Sequence, residues 1–251
     1  MPIPYLRRLT GKDRDRVFNL RLAFLLAFVA GATNAGGLFA VGQYTSHMSV
    51  IVSSIADNLA IHQVKLALAG LGSLTSFLMG AACTALLVNW GRRRNLHSQY
   101  AFPLMLEAML LLCFGIMGNR LVRHEWFFVS GTVVLLCFIM GLQNAVISKL
   151  SRSEIPTTHV TGTLTDIGIE LGRLVYWNHP RVEGPRVLAN RTRLRMLSTL
   201  ALSFLAGGVA GAIGFRHVGY SCTVPLAALL VLLAAVPAID DLRGAASNKS
   251  S

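Results

Sequence analysis

A chain of 251 residues with 53% apolar and only 14% charged side chains lies outside the range of ordinary soluble domains, which carry about 25% charged residues. Its net charge of +12 does not point to nucleic acid, because the basic residues sit in short segments between apolar runs rather than on one face of a soluble domain. The pattern is that of an all-α polytopic membrane protein whose Lys and Arg act as topology signals.

Taken along the chain, a basic tail (1–21) precedes a first apolar run near Leu20 to Gly42. A signal peptide is the rival reading of this run, but the apolar part is too long and no small-x-small cleavage site stands clear of it. Five more runs follow, near Leu66 to Asn89, Phe102 to Gly118, Trp126 to Ser148, Met196 to Phe215 and Val218 to Pro237. Crossing roughly 30 Å of hydrocarbon takes about 20 helical residues, so six spans are expected. Of the Lys and Arg between and beyond them, nineteen fall in the two tails and the second and fourth connections, against four elsewhere. By the positive-inside rule both termini then face the cytoplasm, along with the basic loop 178–195 and the polar tail 238–251, which is expected to be disordered. The four cysteines lie singly inside spans and indicate neither a zinc site nor a disulfide framework.

The chain repeats itself. FVAGATNA at Phe28 to Ala35 resembles FIMGLQNA at Phe138 to Ala145, so that Gly31 and Asn34 match Gly141 and Asn144. His47 then pairs with His159, SFLMGAACTAL from Ser76 with SFLAGGVAGAI from Ser203, and PLMLEAMLLL from Pro103 with PLAALLVLLA from Pro225. The units are residues 22–118 and 126–237. Because each holds an odd number of spans, the second must enter the bilayer from the opposite side. That inverted repeat is common in secondary transporters, whose ligands bind at the repeat interface near the midplane. Duplication retained only for folding is the plainer alternative. Stripes of small residues at every fourth position, Gly72, Ser76, Gly80 and Thr84 in one unit and Thr199, Ser203, Gly207 and Gly211 in the other, suit close helix packing in lipid.

Between the first and second spans of each unit lies a polar run, TSHMSVIVSSIAD from Thr45 and THVTGTLTD from Thr158. Beyond each, the pattern turns amphipathic: Met48, Ile51, Ile55 and Leu59 oppose Ser46, Ser49, Ser53 and Asp57, while Leu164, Ile167, Leu171 and Leu174 oppose Asp166, Glu170 and Arg173. Each is expected to be a short interfacial or re-entrant helix. The Ser, Thr and Gly at its head cap free N–H groups or leave them to receive an anion. Irregular backbone at membrane depth is tolerated only where it is buried in protein or lines a wet cavity. Cavity lining and a capped helix without ligand are the two readings of these runs.

Glu107 is the sharpest single residue: it lies inside the third span among apolar neighbours, and its repeat counterpart is Leu229. An acidic residue at a helix centre costs about 2.5 to 3.5 kcal/mol even on lenient insertion scales, which implies either a partner in another helix or a proton-carrying role. The histidines titrate near neutrality when unperturbed and, with the acidic residues, are candidates for a relay. The ligand or proton-pathway candidates are therefore Asn34, His47, Asp57, Glu107, Asn144, His159, Thr161, Thr163, Asp166 and Glu170. No phosphate-binding, dinucleotide, HExxH or GxSxG motif is present, so the expectation is a non-enzymatic protein without cofactor or metal. Its partners would be the bilayer and a small solute, not nucleic acid.

GATNAGGLFAVGQYTSHMS together with GLQNAVISKLSRSEIPTTHVTGTLTD closely resembles the YoaK-like family of bacterial membrane proteins, a domain of unknown function, over about Leu22 to Pro237. The resemblance implies a polytopic inner-membrane protein and carries no catalytic residues. Where the family pattern is HMTG this chain has HMSV, with Val50 in place of glycine. The expectation drawn from residues and resemblance together is a secondary transporter or channel-like protein for a small solute. A membrane structural or regulatory protein that binds lipid or a partner is the alternative.

Overall fold

The computed structural model describes residues 16–94, 96, 99–121, 126–150, 160–178 and 185–247. They form α1 (Arg16–Val41), α2 (Met48–Ala60), α3 (Val64–Arg93), α4 (Ala101–Leu121), α5 (Trp126–Leu150), α6 (Val160–Val175), α7 (Arg191–Val218), a single 3-10 turn (Gly219–Cys222) and α8 (Thr223–Ser247). No strand occurs among the described residues. The order long, short, long, long therefore occurs twice. Five stretches are long and apolar enough to cross a membrane: Asn19–Val41, Val64–Arg93, Ala101–Gly118, Ser130–Lys149 and the 45-residue Arg191–Ala235. The last is two helices. Gly219 takes a positive φ of 65°, and a Cβ on Gly214 would collide with the Cys222 sulfur, although those positions would lie about 12 Å apart on one continuous helix.

Side-chain contacts fix the direction of each long helix. Phe28, Ala32 and Gly36 of α1 meet Gly207, Gly211 and Phe215 of α7, numbers rising together, so the two run parallel. In α3 and α5 the same four-residue steps recur. The Ser76 hydroxyl donates to the Val134 carbonyl (2.7 Å), Gly80 abuts Phe138, and the Thr84 hydroxyl donates to the Leu142 carbonyl (2.9 Å). By contrast α1 and α5 are antiparallel: Gln143 donates to the Leu26 carbonyl at 3.1 Å, whereas the later Gly37 faces the earlier Leu136. So are α4 and α8, where Gly115 faces Thr223 while Gly118 faces Tyr220. Hence α1, α4 and α7 run one way and α3, α5 and α8 the other.

Exchanging the two halves leaves these four pairings unchanged, although α4 also packs on α5 without a comparable contact between α8 and α1. The α1–α7 pair maps onto α5–α3, while α1–α5 and α4–α8 each map onto themselves. Even the crossings agree. A Cβ on Gly31 would overlap the Phe204 carbonyl and one on Gly207 the Phe28 carbonyl, just as Gly141 meets the Phe77 carbonyl and Gly80 that of Phe138. Glycine is required at all four because backbone, not a flexible side chain, occupies the space. The small-residue stripes are thus seams, with one correction: Gly72, expected to belong to its stripe, has nothing within reach of a Cβ.

The core lies where α1, α4, α5 and α8 converge, and holds Leu26, Val29, Leu104, Leu111, Ile139, Leu142 and Leu230. The outer faces of α3 and α7 instead expose Leu78, Met79 and Leu86, and Leu202, Leu205 and Ile213, as helices that meet lipid do. One end of the bundle gathers Arg21, Arg92 to Arg94, Lys149 and Arg191 to Arg195; the other holds Lys65, Arg120 and Arg216. At the basic end Trp90 is half exposed beneath the Arg94 guanidinium (5.5 Å) and packs edge-on against Phe102, an arrangement suited to a membrane–water boundary.

Two expected boundaries move. The basic loop ends at Asn190, whose side chain caps α7 by accepting from the Arg193 N–H (3.0 Å), so Arg191, Arg193 and Arg195 are helical. The tail from residue 238, expected to be disordered, continues α8 to Ser247.

Candidate functional site

The two short helices are placed by hairpins. In the first half Ile55 of α2 packs on Gly70 of α3 across a tight turn at His62, which takes a φ of 60°. In the second, α6 is pinned to the start of α7 by charge. Asp166 accepts from Arg193 at 2.9 Å, while Glu170, 1% exposed, accepts from Arg173 at 2.9 Å and from the Asn190 backbone N–H at 2.7 Å.

At the α2 end the fit is closed. The Ser46 hydroxyl donates to Asn34 Oδ1 at 2.8 Å, and the buried Cys137 thiol lies 3.7 Å from the Thr45 carbonyl. The cap itself departs from expectation, since His47 occupies the N-cap position of α2 and its side chain caps nothing. At the α6 end the counterparts of Thr45 and Ser46, Thr157 and Thr158, lie outside the described residues. A cavity of about 40 Å³ is lined by Ala27, Ala30, Asn144, Ile147, Val160, Thr163, Leu200, Ala201 and Phe204. In the repeat Ala27 and Ala30 stand where the other half has the larger Cys137 and Met140, both buried. Sequence reasoning did not single out these two alanines. Reading the repeat position by position for changes in side-chain volume is the signal that would have found them.

Glu107 is fully buried, and neither of its oxygens has a hydrogen-bond partner among the described residues. Its flanking residues Leu104, Ala108 and Leu111 belong to the apolar core that also holds Leu230 of α8. Burying both oxygens in an apolar core without a partner carries a free-energy cost. The α1–α5 seam adds two more buried polar groups, Thr33 and Gln143, whose hydroxyl and amide oxygen are unpartnered.

The remaining candidates do not gather round one point. His47 and Asp57 are exposed at the α2 end. Asp166 and Glu170 are engaged at the opposite, basic end, and Thr161 is exposed there while Thr163 is buried against the cavity. His159 lies outside the described residues. Thus Asn144 and Thr163 share the cavity, Asn34 belongs to the sealed counterpart, and Glu107 stands apart in the core. The described residues contain no cluster of metal-ligating side chains.

Comparison with known proteins agrees with this architecture at a coarse level. The chain is 28% identical over 236 residues to a UPF0700 transmembrane protein of Rhizobium meliloti, covering 94% of this chain and 93% of that protein. No solved structure matches it. Residues 22–236 match the profile described as "Protein of unknown function (DUF1275)", and the chain, an all-helical membrane protein, belongs to that family.

Proposed function

We propose that this protein is a secondary transporter or channel-like conduit for a small solute, built from two three-span halves inserted in opposite senses, with proton movement coupled through Glu107. The helix directions support the inverted arrangement: α1, α3 and α4 run up, down, up while α5, α7 and α8 run down, up, down. Gathering of basic residues at the end where α1 begins supports placing both termini in the cytoplasm, and the bacterial transmembrane relative supports an inner-membrane location. The observation that carries the transport reading is the fully buried, unpartnered Glu107. Such a group within a membrane bundle is retained at a free-energy cost and is a candidate for an ion or proton pathway, the plainer reading being a fixed hydrogen bond to another helix.

Uptake into proteoliposomes under an imposed pH gradient, screened across solute classes, tests this. The parent should accumulate at least one small solute in a gradient-dependent manner, and Glu107→Gln should insert normally while losing that dependence. No flux of any class by correctly inserted protein contradicts transport. One observation favours a second reading, a non-transporting protein that binds lipid or a partner. The cavity is far below the roughly 300 to 1,000 Å³ typical of organic-ligand sites. That small volume equally suits a very small solute.

A further inference from the structure

We infer that the corner where α3 turns into α4 seats one anionic phospholipid of the leaflet at the basic end, with its phosphate on Arg93 and Arg94 and its upper acyl chain against Trp90 and Phe102. The inference needs the bundle to lie in a bilayer and does not depend on transport.

The corner is tightly built, and this divides the three arginines. A Cβ on Gly91 would stand 3.1 Å from the Gln99 Cα, and the Leu96 N–H donates back to the Gly91 carbonyl at 3.0 Å. Arg92 is engaged in holding the turn. Its guanidinium donates to Gln99 Oε1 (3.1 Å) and to the Tyr100 hydroxyl (3.3 Å), and that hydroxyl donates to the Lys149 carbonyl (3.2 Å). Arg93 and Arg94 are exposed, and neither forms an ion pair among the described residues. Standing three and four residues beyond Trp90, they share its face of the helix. The planar guanidinium presents paired donors that match phosphate oxygens. The same charges repel the ammonium of a zwitterionic headgroup, so the preference is for a lipid with net negative charge. The dipole of α3 places about half a negative charge at this end, which two full positive charges outweigh.

The apolar part of a lipid is matched directly beneath. The Arg94 guanidinium lies over the Trp90 ring at 5.5 Å, and Trp90 meets Phe102 edge-on with ring centroids 5.4 Å apart. Both rings remain partly exposed. From them two exposed apolar strips lead away from the basic end, Leu86 and Met79 on α3 and Met105 and Met109 on α4. These strips do not cover each other, because α3 packs chiefly on α5 and α4 chiefly on α8. Charge, then aromatic rings, then aliphatic side chains is the order of a phospholipid read from phosphate to acyl chain, and interfacial tryptophan suits the level between them.

The test uses Trp90 as the probe. With Trp126 and Trp177 replaced by phenylalanine, the protein is placed in nanodiscs carrying acyl-brominated phosphatidylglycerol or phosphatidylcholine at equal mole fraction, and quenching of Trp90 fluorescence gives the relative association of the two lipids. The anionic lipid should be preferred. Arg93→Gln and Arg94→Gln should each cut that preference about fivefold, the factor expected for one basic residue at a membrane surface. Arg191→Gln, the same charge change on α7, should leave it as it is. Unfolding temperatures identify variants that fail to fold. If the single-tryptophan protein fails, the lipids retained by the parent and by Arg93→Gln in native mass spectrometry give the same comparison. Equal association of the two lipids, or a preference untouched by both arginine variants, overturns the inference. So does an equal fall in Arg191→Gln, which would assign the preference to the charge of the whole end. Shielding of Trp90 from both lipids overturns it in favour of a second copy of the chain at this corner.

Discussion

Gly80→Ala should destabilise the folded bundle by about 2 kcal/mol, and its neighbour two turns earlier, Gly72→Ala, should not. At Gly80 the added methyl would collide with the Phe138 carbonyl and crowd the Leu142 amide nitrogen at 3.0 Å. A carbonyl in a helix cannot swing aside as a side-chain tip does, so α3 and α5 must separate. Overpacking of this kind costs about 1 to 3 kcal/mol. The upper end applies here, because separation also stretches the Ser76 and Thr84 hydrogen bonds on either side. Replacing glycine by alanine within a helix returns about 1 kcal/mol of propensity, leaving a net loss of about 2. At Gly72 the methyl meets nothing within 4 Å, so only the propensity gain remains, and the two variants should differ by about 3 kcal/mol. Gly207→Ala, the repeat counterpart of Gly80, should lose as much as Gly80→Ala. Reversible unfolding in mixed detergent micelles, followed by far-UV circular dichroism, measures all three. If Gly80→Ala unfolds within about 0.5 kcal/mol of the parent, or Gly207→Ala is neutral while Gly80→Ala is not, the matched seams do not hold the halves together as described.

Further outcomes follow from the charged groups. Glu170→Ala should cost about 2 to 3 kcal/mol in the same assay, because it strands the Asn190 N–H and Arg173 around a carboxylate that is 1% exposed. Asp166→Asn should cost no more than about 1 kcal/mol, since its pair with Arg193 is 20% and 39% exposed and solvent screens it. Glu107→Leu, which copies the counterpart Leu229, should stabilise the fold by about 1 to 2 kcal/mol by removing an unsatisfied buried acid. A marked loss of stability there would mean that the carboxyl has a structural partner.

Much of the fold was legible before the coordinates, for identifiable reasons. Hydropathy located the long helices because crossing a bilayer demands continuous apolar runs, and the repeat paired Gly31 with Gly141 and Gly80 with Gly207, which the structure uses in equivalent crossings. Gly72 was misassigned because periodicity along one helix carries no information about how closely its neighbour approaches at each step. Arg191 to Arg195 were read as loop because their charge outweighed a helix start marked only by Asn190. The candidate site was less legible. The titratable residues share polarity but not location, and the cavity is lined mostly by apolar side chains, Ala27 and Ala30 among them, that carry no polar signal in the sequence.

The central claim, two halves set in opposite senses across the bilayer, is tested most directly by one labelling measurement. With Cys83, Cys113, Cys137 and Cys222 replaced by alanine, single cysteines at His62, in the α2–α3 turn, and at Leu188, just before α7, are exposed to a membrane-impermeant maleimide. His62→Cys should label in intact cells, and Leu188→Cys only in inside-out vesicles. Labelling of both from the same side would contradict the account.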